Sequence, residues 1–109
     1  MAGYNTCTLD TGRGMDKSEA RAVLAQHLAL YRQYSYGGLT KLIGTNSVIT
    51  ANGPSGVEYQ IEIEVTWDSP RDKVDILVMG AIDDGHLPGA LSPLCDSFIV
   101  APDGRFVGE

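Results

Sequence analysis

Long apolar runs are absent from this chain of 109 residues. No stretch approaches the roughly 18 consecutive apolar residues that a membrane-spanning helix requires. The segment from Met1 to Cys7 has no basic cluster leading into an apolar one, as a secretory leader would. The 43% content of hydrophobic residues and their clear periodicity also argue against an intrinsically disordered chain. We therefore expect a soluble, cytoplasmic domain that does not associate with membranes.

Positive charge is scarce. Eight Lys and Arg residues stand against 14 Asp and Glu, for a formal net charge of −6. The cations are scattered along the sequence, without a run of basic and aromatic residues that would stack on bases. Since a negative chain is repelled by phosphate backbones, we expect no nucleic-acid partner. The partner predicted instead is another protein, basic in character, or a second copy of this chain.

Cysteine is nearly absent, and its pattern excludes the common cysteine motifs. Cys7 and Cys95 form no C-x-x-C pair and have no histidine at a metal-ligand spacing. In a reducing cytoplasm such a cysteine is a free thiol. We expect free thiols, and a single disulfide is the alternative if the protein is secreted.

The strongest pattern present lies in residues 57–68, which alternate apolar and polar positions. Such alternation predicts a β-strand with one buried and one solvated face. The inward residues are Val57, Tyr59, Ile61, Ile63, Val65 and Trp67. The outward residues are Glu58, Gln60, Glu62, Glu64, Thr66 and Asp68. The length of this strand predicts that it is the centre of the sheet.

An amphipathic helix is predicted before this strand. Asp16 as N-cap with Glu19 three residues later forms a capping box, and an apolar face runs from Ala20 to Tyr31. The helix is expected from Lys17 to Tyr34 or Ser35, ended by glycines 37 and 38. Residues 1–14 lack periodicity and are expected to form a flexible arm.

Further strands are predicted at 46–51, as an edge, at 74–83 and at 98–101, with residues 105–107 folding back after a turn. Residues 39–43 fit either a helical turn or a bridge into the sheet. The two longest strands are expected to pair through a four-residue loop that places Trp67 opposite Val74 and Ile63 opposite Val78. Gly80 then allows close approach of the helix or marks a bulge. Residues 83–96 are predicted to be a long loop.

These elements predict one α+β domain over residues 15–109, with an N-terminal amphipathic helix packed on a curved antiparallel sheet of about four strands. The order of elements is similar to that of cystatin-like or truncated NTF2-like arrangements. That resemblance concerns element order alone, and it implies no activity.

Candidate chemistry is confined to one cluster. Asp83, Asp84 and His86 could bind a metal or act as acid and base, although Asp-Asp-Gly is also ordinary turn chemistry. Cys95 with His86 could form a nucleophile and base, but no orienting third group is evident. His27 on the helix is expected to be a core-edge residue with one hydrogen bond. The sequence therefore favours a protein without catalytic activity, metal or cofactor.

Two surfaces are predicted to bind. The first is the outward sheet face, where an acidic set and two unexpected apolar residues lie: Glu58, Glu62, Glu64, Asp68, Leu77 and Met79. This face fits an inhibitor or immunity-type protein that covers a basic partner, or a homodimer formed through the face or the sheet edge. The C-terminal segment is the alternative cover for Leu77 and Met79. The second is a ligand pocket between helix and sheet, lined by Tyr31, Tyr34 and Trp67, which would suit a small-molecule-binding protein or an enzyme.

Overall fold

The computed structural model describes residues 17–84 and 94–109. It contains two helices and four strands: α1 (Lys17–Arg32), α2 (Tyr36–Thr40), β1 (Asn46–Asn52), β2 (Glu58–Trp67), β3 (Ile76–Asp83) and β4 (Leu94–Val100). The strands form one antiparallel sheet in the order β1-β2-β3-β4, and α1 packs on one face of it, chiefly over β3 and β4. The predicted α+β class is confirmed. Within the described ranges, neither helix is long and apolar enough to cross a membrane.

The two faces of β2 are as the alternation predicts. Ile61 and Ile63 are buried beneath the helix layer, whereas Glu58 and Glu62 are exposed on the opposite face. We call the helix-covered side the inner face and the other side the outer face. Ile61 belongs to a continuous core with residues of α1, β3 and β4, so the hairpin of β2 and β3 is the centre of the molecule.

The predicted pairing of β2 with β3 is wrong by two residues. Trp67 lies opposite Ile76, not Val74, and Ile63 lies opposite Gly80. The turn is longer than predicted, because the amide of Asp68 donates to the carbonyl of Asp75 at 2.8 Å. A shift of two residues leaves every side chain on its predicted face, so the alternation alone does not distinguish the two registers. Val74, expected in the core, is 46% exposed in the turn.

The first helix ends earlier than predicted. It stops at Arg32, and Ser35 then caps α2, accepting a hydrogen bond from the amide of Gly38 at 2.9 Å. The glycines expected to end the helix therefore lie inside a second short helix. This helix buries Leu39 completely and resolves the ambiguity at residues 39–43 in favour of a helical turn.

Gly80 brings the helix close to the sheet. A Cβ atom at this position would lie 2.8 Å from Cδ1 of Leu24 and 3.2 Å from Cδ2 of Leu28. Such distances are shorter than van der Waals contact, so a side chain at this position would require Leu24 and Leu28 to shift. The predicted close approach is confirmed, and the regular ladder on both sides of Gly80 shows that it marks no bulge.

The last strand begins earlier than predicted, at Leu94 instead of Phe98. Asp96 and its neighbours therefore belong to a strand and not to the expected loop. Three predictions lie outside the described residues: the remainder of that loop over residues 85–93, the N-terminal arm over residues 1–14, and Asp16 as the N-cap of α1. After β4 the chain reverses at Gly104, whose φ is 88°, and Phe106 forms an antiparallel bridge with Val100, as predicted.

Arg32 fastens this C-terminal arm, residues 101–109, to the helix. Its guanidinium carbon lies 4.6 Å from the ring centre of Phe98 and 4.7 Å from that of Phe106. The same guanidinium donates two hydrogen bonds of 2.8 Å to the carboxylate of Glu109. These bonds raise the pKa of Arg32 and lower that of Glu109. A cation held between two rings and a carboxylate joins α1, β4 and the arm.

Candidate functional site

The sheet contains only one sign of charge. Its four strands carry five carboxylates, Glu58, Glu62, Glu64, Asp83 and Asp96, and no Lys, Arg or His. The described cations lie in the helices and turns, at Lys17, Arg21, Arg32, Lys41, Arg71, Lys73 and Arg105. Except for Asp96, the strand carboxylates project from the outer face. The outer face of the sheet is therefore anionic, and the described cations lie outside the strands.

A shallow depression lies on the outer face between β1, β2 and β3. It has a volume of about 190 Å³ and is lined by Val48, Gln60, Glu62, Ala81 and Asp83. Cross-strand register explains this grouping, because Glu62 lies between Val48 and Ala81, and Gln60 lies opposite Asp83. Two carboxylates and one amide at the rim, with small apolar residues beside them, suit a cationic group that carries an aliphatic stem.

Glu62 is held in this depression by a neighbouring side chain. Its Oε2 atom accepts a hydrogen bond of 2.8 Å from Nδ2 of Asn46, on the adjacent strand. Glu62 as a whole is exposed. Asn46, which positions Glu62, and the carboxylate of Asp83 are the two residues of this surface that the alternation of β2 did not reveal. Only the β1–β2 and β2–β3 registers bring them together.

The four acidic residues predicted to bind differ in their exposure and position. Glu58 and Glu62 are exposed, Glu64 is half-buried opposite Met79, and Asp68 lies after β2 in the turn to β3. The two apolar residues on this face, Leu77 and Met79, are less exposed than expected. Leu77 is only 4% exposed and Met79 is half-buried within the single chain. Their presence on the outer face therefore does not require a second copy to cover them.

The candidate catalytic residues do not assemble into a site that the structure describes. Asp83 ends β3 and Asp84 follows it, both half-buried, while His86 lies outside the described residues. Among residues 17–84 and 94–109, no group of three His, Cys, Asp or Glu side chains is placed to hold a metal ion. His27 is a core-edge residue as expected, with Nδ1 3.0 Å from the carbonyl oxygen of Val23.

Cys95 corrects one expectation outright. It is disulfide-bonded rather than free, so it has no thiol to act as a nucleophile. The sequence contains one other cysteine, Cys7, which lies outside the described residues. Cys95 itself projects from the outer face of β4, opposite Ala81.

The candidate pocket residues are distributed over two places. The rings of Tyr31 and Tyr34 stack with centres 5.8 Å apart near the end of α1. Trp67 is half-buried at the end of β2, and Tyr31 likewise packs against the core. Tyr34 is 48% exposed. The depression described above lies on the opposite face of the sheet from these three side chains, so their role as a pocket stays a prediction.

Glu19 has a role that its sequence position did not reveal. Its carboxylate accepts hydrogen bonds of 2.7 Å from the Tyr59 hydroxyl, the Ser55 hydroxyl and the Ser55 amide. These bonds, the one from Tyr59 first, lower the pKa of Glu19. Gly53 leaves room for this contact, because a Cβ there would lie 2.6 Å from the carboxyl carbon. The helix start is thereby fixed to the β1–β2 turn.

Comparison with known proteins gives no relative from which a function could be transferred. The chain shows no significant match to a family model, to a curated protein or to a solved structure. The similarity to cystatin-like and truncated NTF2-like arrangements accordingly stays one of element order.

Proposed function

We propose that this protein is a non-enzymatic interaction domain whose outer sheet face binds a basic segment of another protein. The observation that supports the proposal is the charge of the sheet, with carboxylates on the outer face and no cation in any of its strands. An inhibitor or immunity-type role, in which such a face covers a basic partner, is the form of this function that the surface fits best.

The depression supplies the specific part of the surface. A Lys or Arg side chain lying along Ala81 and Val48 can keep its aliphatic stem on these residues while its charged end meets Glu62 and Asp83. Arg suits this arrangement better than Lys, because its planar fork can donate to two acceptors at once. Glu58 and Glu64 extend the same anionic field along β2, which would raise the association rate with a cationic partner.

The cellular compartment of this protein determines which partners it can meet. A cytoplasmic location is the prediction from the sequence, but the disulfide at Cys95 weighs against it, because cytoplasmic thiols are kept reduced. A partner met in an oxidising environment is therefore part of the proposal.

The test replaces three carboxylates of the outer face: Glu58→Gln, Glu62→Gln and Glu64→Gln. The probe is a fluorescent peptide with arginine at alternate positions, titrated by polarisation at low and at physiological salt. Since each exposed charge pair contributes about 0.2–1 kcal/mol, the triple variant should bind roughly tenfold more weakly. The dependence of binding on salt should also decrease, because fewer charges take part.

The control has the same change of net charge away from the sheet: Asp72→Asn, Asp103→Asn and Glu109→Gln. It should bind the peptide almost as the unmodified protein does. Equal weakening in both triple variants would mean that total charge and not the outer face attracts the peptide. If the unmodified protein and both triple variants bound the peptide with the same affinity, the proposal would be wrong.

A further inference from the structure

We infer that two copies of this chain pair edge to edge through β1, forming one continuous eight-stranded sheet across a two-fold axis. This inference concerns the edge of the sheet and does not depend on what the outer face binds.

The backbone of β1 offers a complete set of hydrogen-bonding groups at the sheet edge. The amide of Gly53 bonds to the carbonyl of Val57, and the carbonyl of Thr45 accepts from Val65, so odd-numbered residues face β2. By alternation, the even-numbered residues of β1 face outward: Asn46, Val48, Thr50 and Asn52. Among the described residues, no backbone group bonds to this edge. It is therefore available to another strand.

β1 lacks the features by which proteins protect a sheet edge. Its sequence, Asn-Ser-Val-Ile-Thr-Ala-Asn, has no charge and no proline, and its seven residues pair with β2 without a bulge. Lysine, proline and bulges are the usual means of preventing strand addition. A regular, neutral edge of this length is what strand pairing requires.

The opposite edge of the same sheet is protected. The amide of Ser97 donates to Oδ1 of its neighbour Asp96, and the carbonyl of Ile99 and the amide of Ala101 are bonded to the C-terminal arm. Asp96 also places a charge on the inner face of β4, which is a second known form of edge protection. The contrast within one sheet indicates that the unprotected state of β1 is functional.

A second copy of this chain is the occupant that fits, because β1 is complementary to itself. In an antiparallel pair centred on Ile49, Val48 lies opposite Thr50 of the partner subunit and Asn46 opposite the partner's Asn52. Each such pair exchanges two hydrogen bonds between outward-facing backbone groups. Ile49 itself meets the partner's Ile49 on the inner face.

Exposure of Ile49 supports the same arrangement. Because α1 contacts chiefly β3 and β4, it covers the inner face at β1 less, and Ile49 is 38% exposed there although it lies opposite the fully buried Ile61. Contact between the two copies of Ile49 would cover this apolar surface.

Charge does not oppose this dimer at physiological salt. The acidic strands β2 of the two copies would be roughly 14 Å apart, three strand spacings, which exceeds the Debye length of about 8 Å. Lowering the salt concentration should therefore weaken the dimer. The proposed binding of a basic peptide should respond in the opposite direction, so the two proposals can be tested separately.

Sedimentation velocity of the full chain, from micromolar to submillimolar concentration, tests the inference. The unmodified protein should reach twice the 11.7 kDa mass of one chain. Thr50→Pro removes an outward amide of β1 without removing a bond to β2, so this variant should remain a monomer. The matched control, Ser97→Pro, removes an outward amide of β4 and should still dimerise. Circular dichroism establishes that both variants are folded.

Cysteine crosslinking tests the register without proline. Residues that face each other in a non-hydrogen-bonded antiparallel pair have Cα atoms about 4.5 Å apart, which a disulfide can bridge. Under a mild oxidant, Ile49→Cys should give a covalent dimer and Ser47→Cys should not. An unmodified protein that is monomeric throughout, loss of the dimer in Ser97→Pro alone, or crosslinking through Ser47→Cys instead would each overturn the inference.

Discussion

At the scale of single residues, Glu19 shows how one carboxylate can connect elements that are distant in sequence. It lies in the first turn of α1, where the macrodipole favours a negative charge, and it accepts three hydrogen bonds from Ser55 and Tyr59. Tyr59 is almost fully buried, so the bond from its hydroxyl satisfies a polar group at the boundary of the core.

Stability should therefore depend on the protonation of Glu19. Because folding lowers the pKa of this carboxyl, its stabilising effect is complete above the ordinary glutamate pKa and is lost as the pH falls through the lowered value. Urea unfolding of the unmodified protein and of Glu19→Gln, compared between neutral and acidic pH, should show a difference in stability that shrinks on acidification. A difference of constant size across that range would contradict the linkage.

At the scale of secondary structure elements, the sequence predicted which face of the sheet each side chain lies on. It did not predict how neighbouring strands align along their length. The alternation in β2 and β3 predicted which side chains face the core and which face solvent. The structure confirms this prediction for Ile61, Ile63 and Glu62. The turn between the strands is six residues long, 69–74, where four were expected. Turn length depends on local conformation, such as the positive φ of 53° at Lys73, which the hydrophobic pattern does not report.

Two substitutions distinguish the observed register from the predicted one. Ile76 is fully buried opposite Trp67, so Ile76→Ala should reduce the free energy of unfolding by about 2–5 kcal/mol. Val74→Ala should change it by less than about 0.5 kcal/mol, because Val74 is half exposed in the turn. Denaturant unfolding measures both. Equal losses in the two variants would favour the register in which Val74 faces Trp67.

The acidic surface was predictable only in part. The carboxylates of β2 follow from alternation, whereas the contribution of Asp83 depends on its position opposite Gln60, and that of Asn46 on the β1–β2 register. Strand pairing brings these residues together from distant parts of the sequence. A single sequence contains the faces of each strand but not the alignment between strands, so the depression could not be foreseen.

At the scale of the whole molecule, the disulfide changes the expected chemistry of the protein. A free thiol is expected only from the predicted cytoplasmic location and not from any property of Cys95 itself. Alkylation of the unreduced protein, followed by peptide mass spectrometry, should leave Cys95 unmodified, and reduction should make it reactive. Complete labelling before reduction, in protein prepared without a reductant, would show that the thiol is free.

The fastening of the C-terminal arm by Arg32 has a consequence for how far assembly can proceed. Since that arm and Asp96 occupy bonding groups along β4, the dimer that we propose would use β1 as the single adhesive rim that the described strands offer. A symmetric dimer uses this rim on both of its subunits, so no rim is left for a third copy. A second adhesive rim on each molecule would instead permit endless fibres. In the proposed dimer, growth would stop after one addition, and concentrated solutions would form no filaments through this contact.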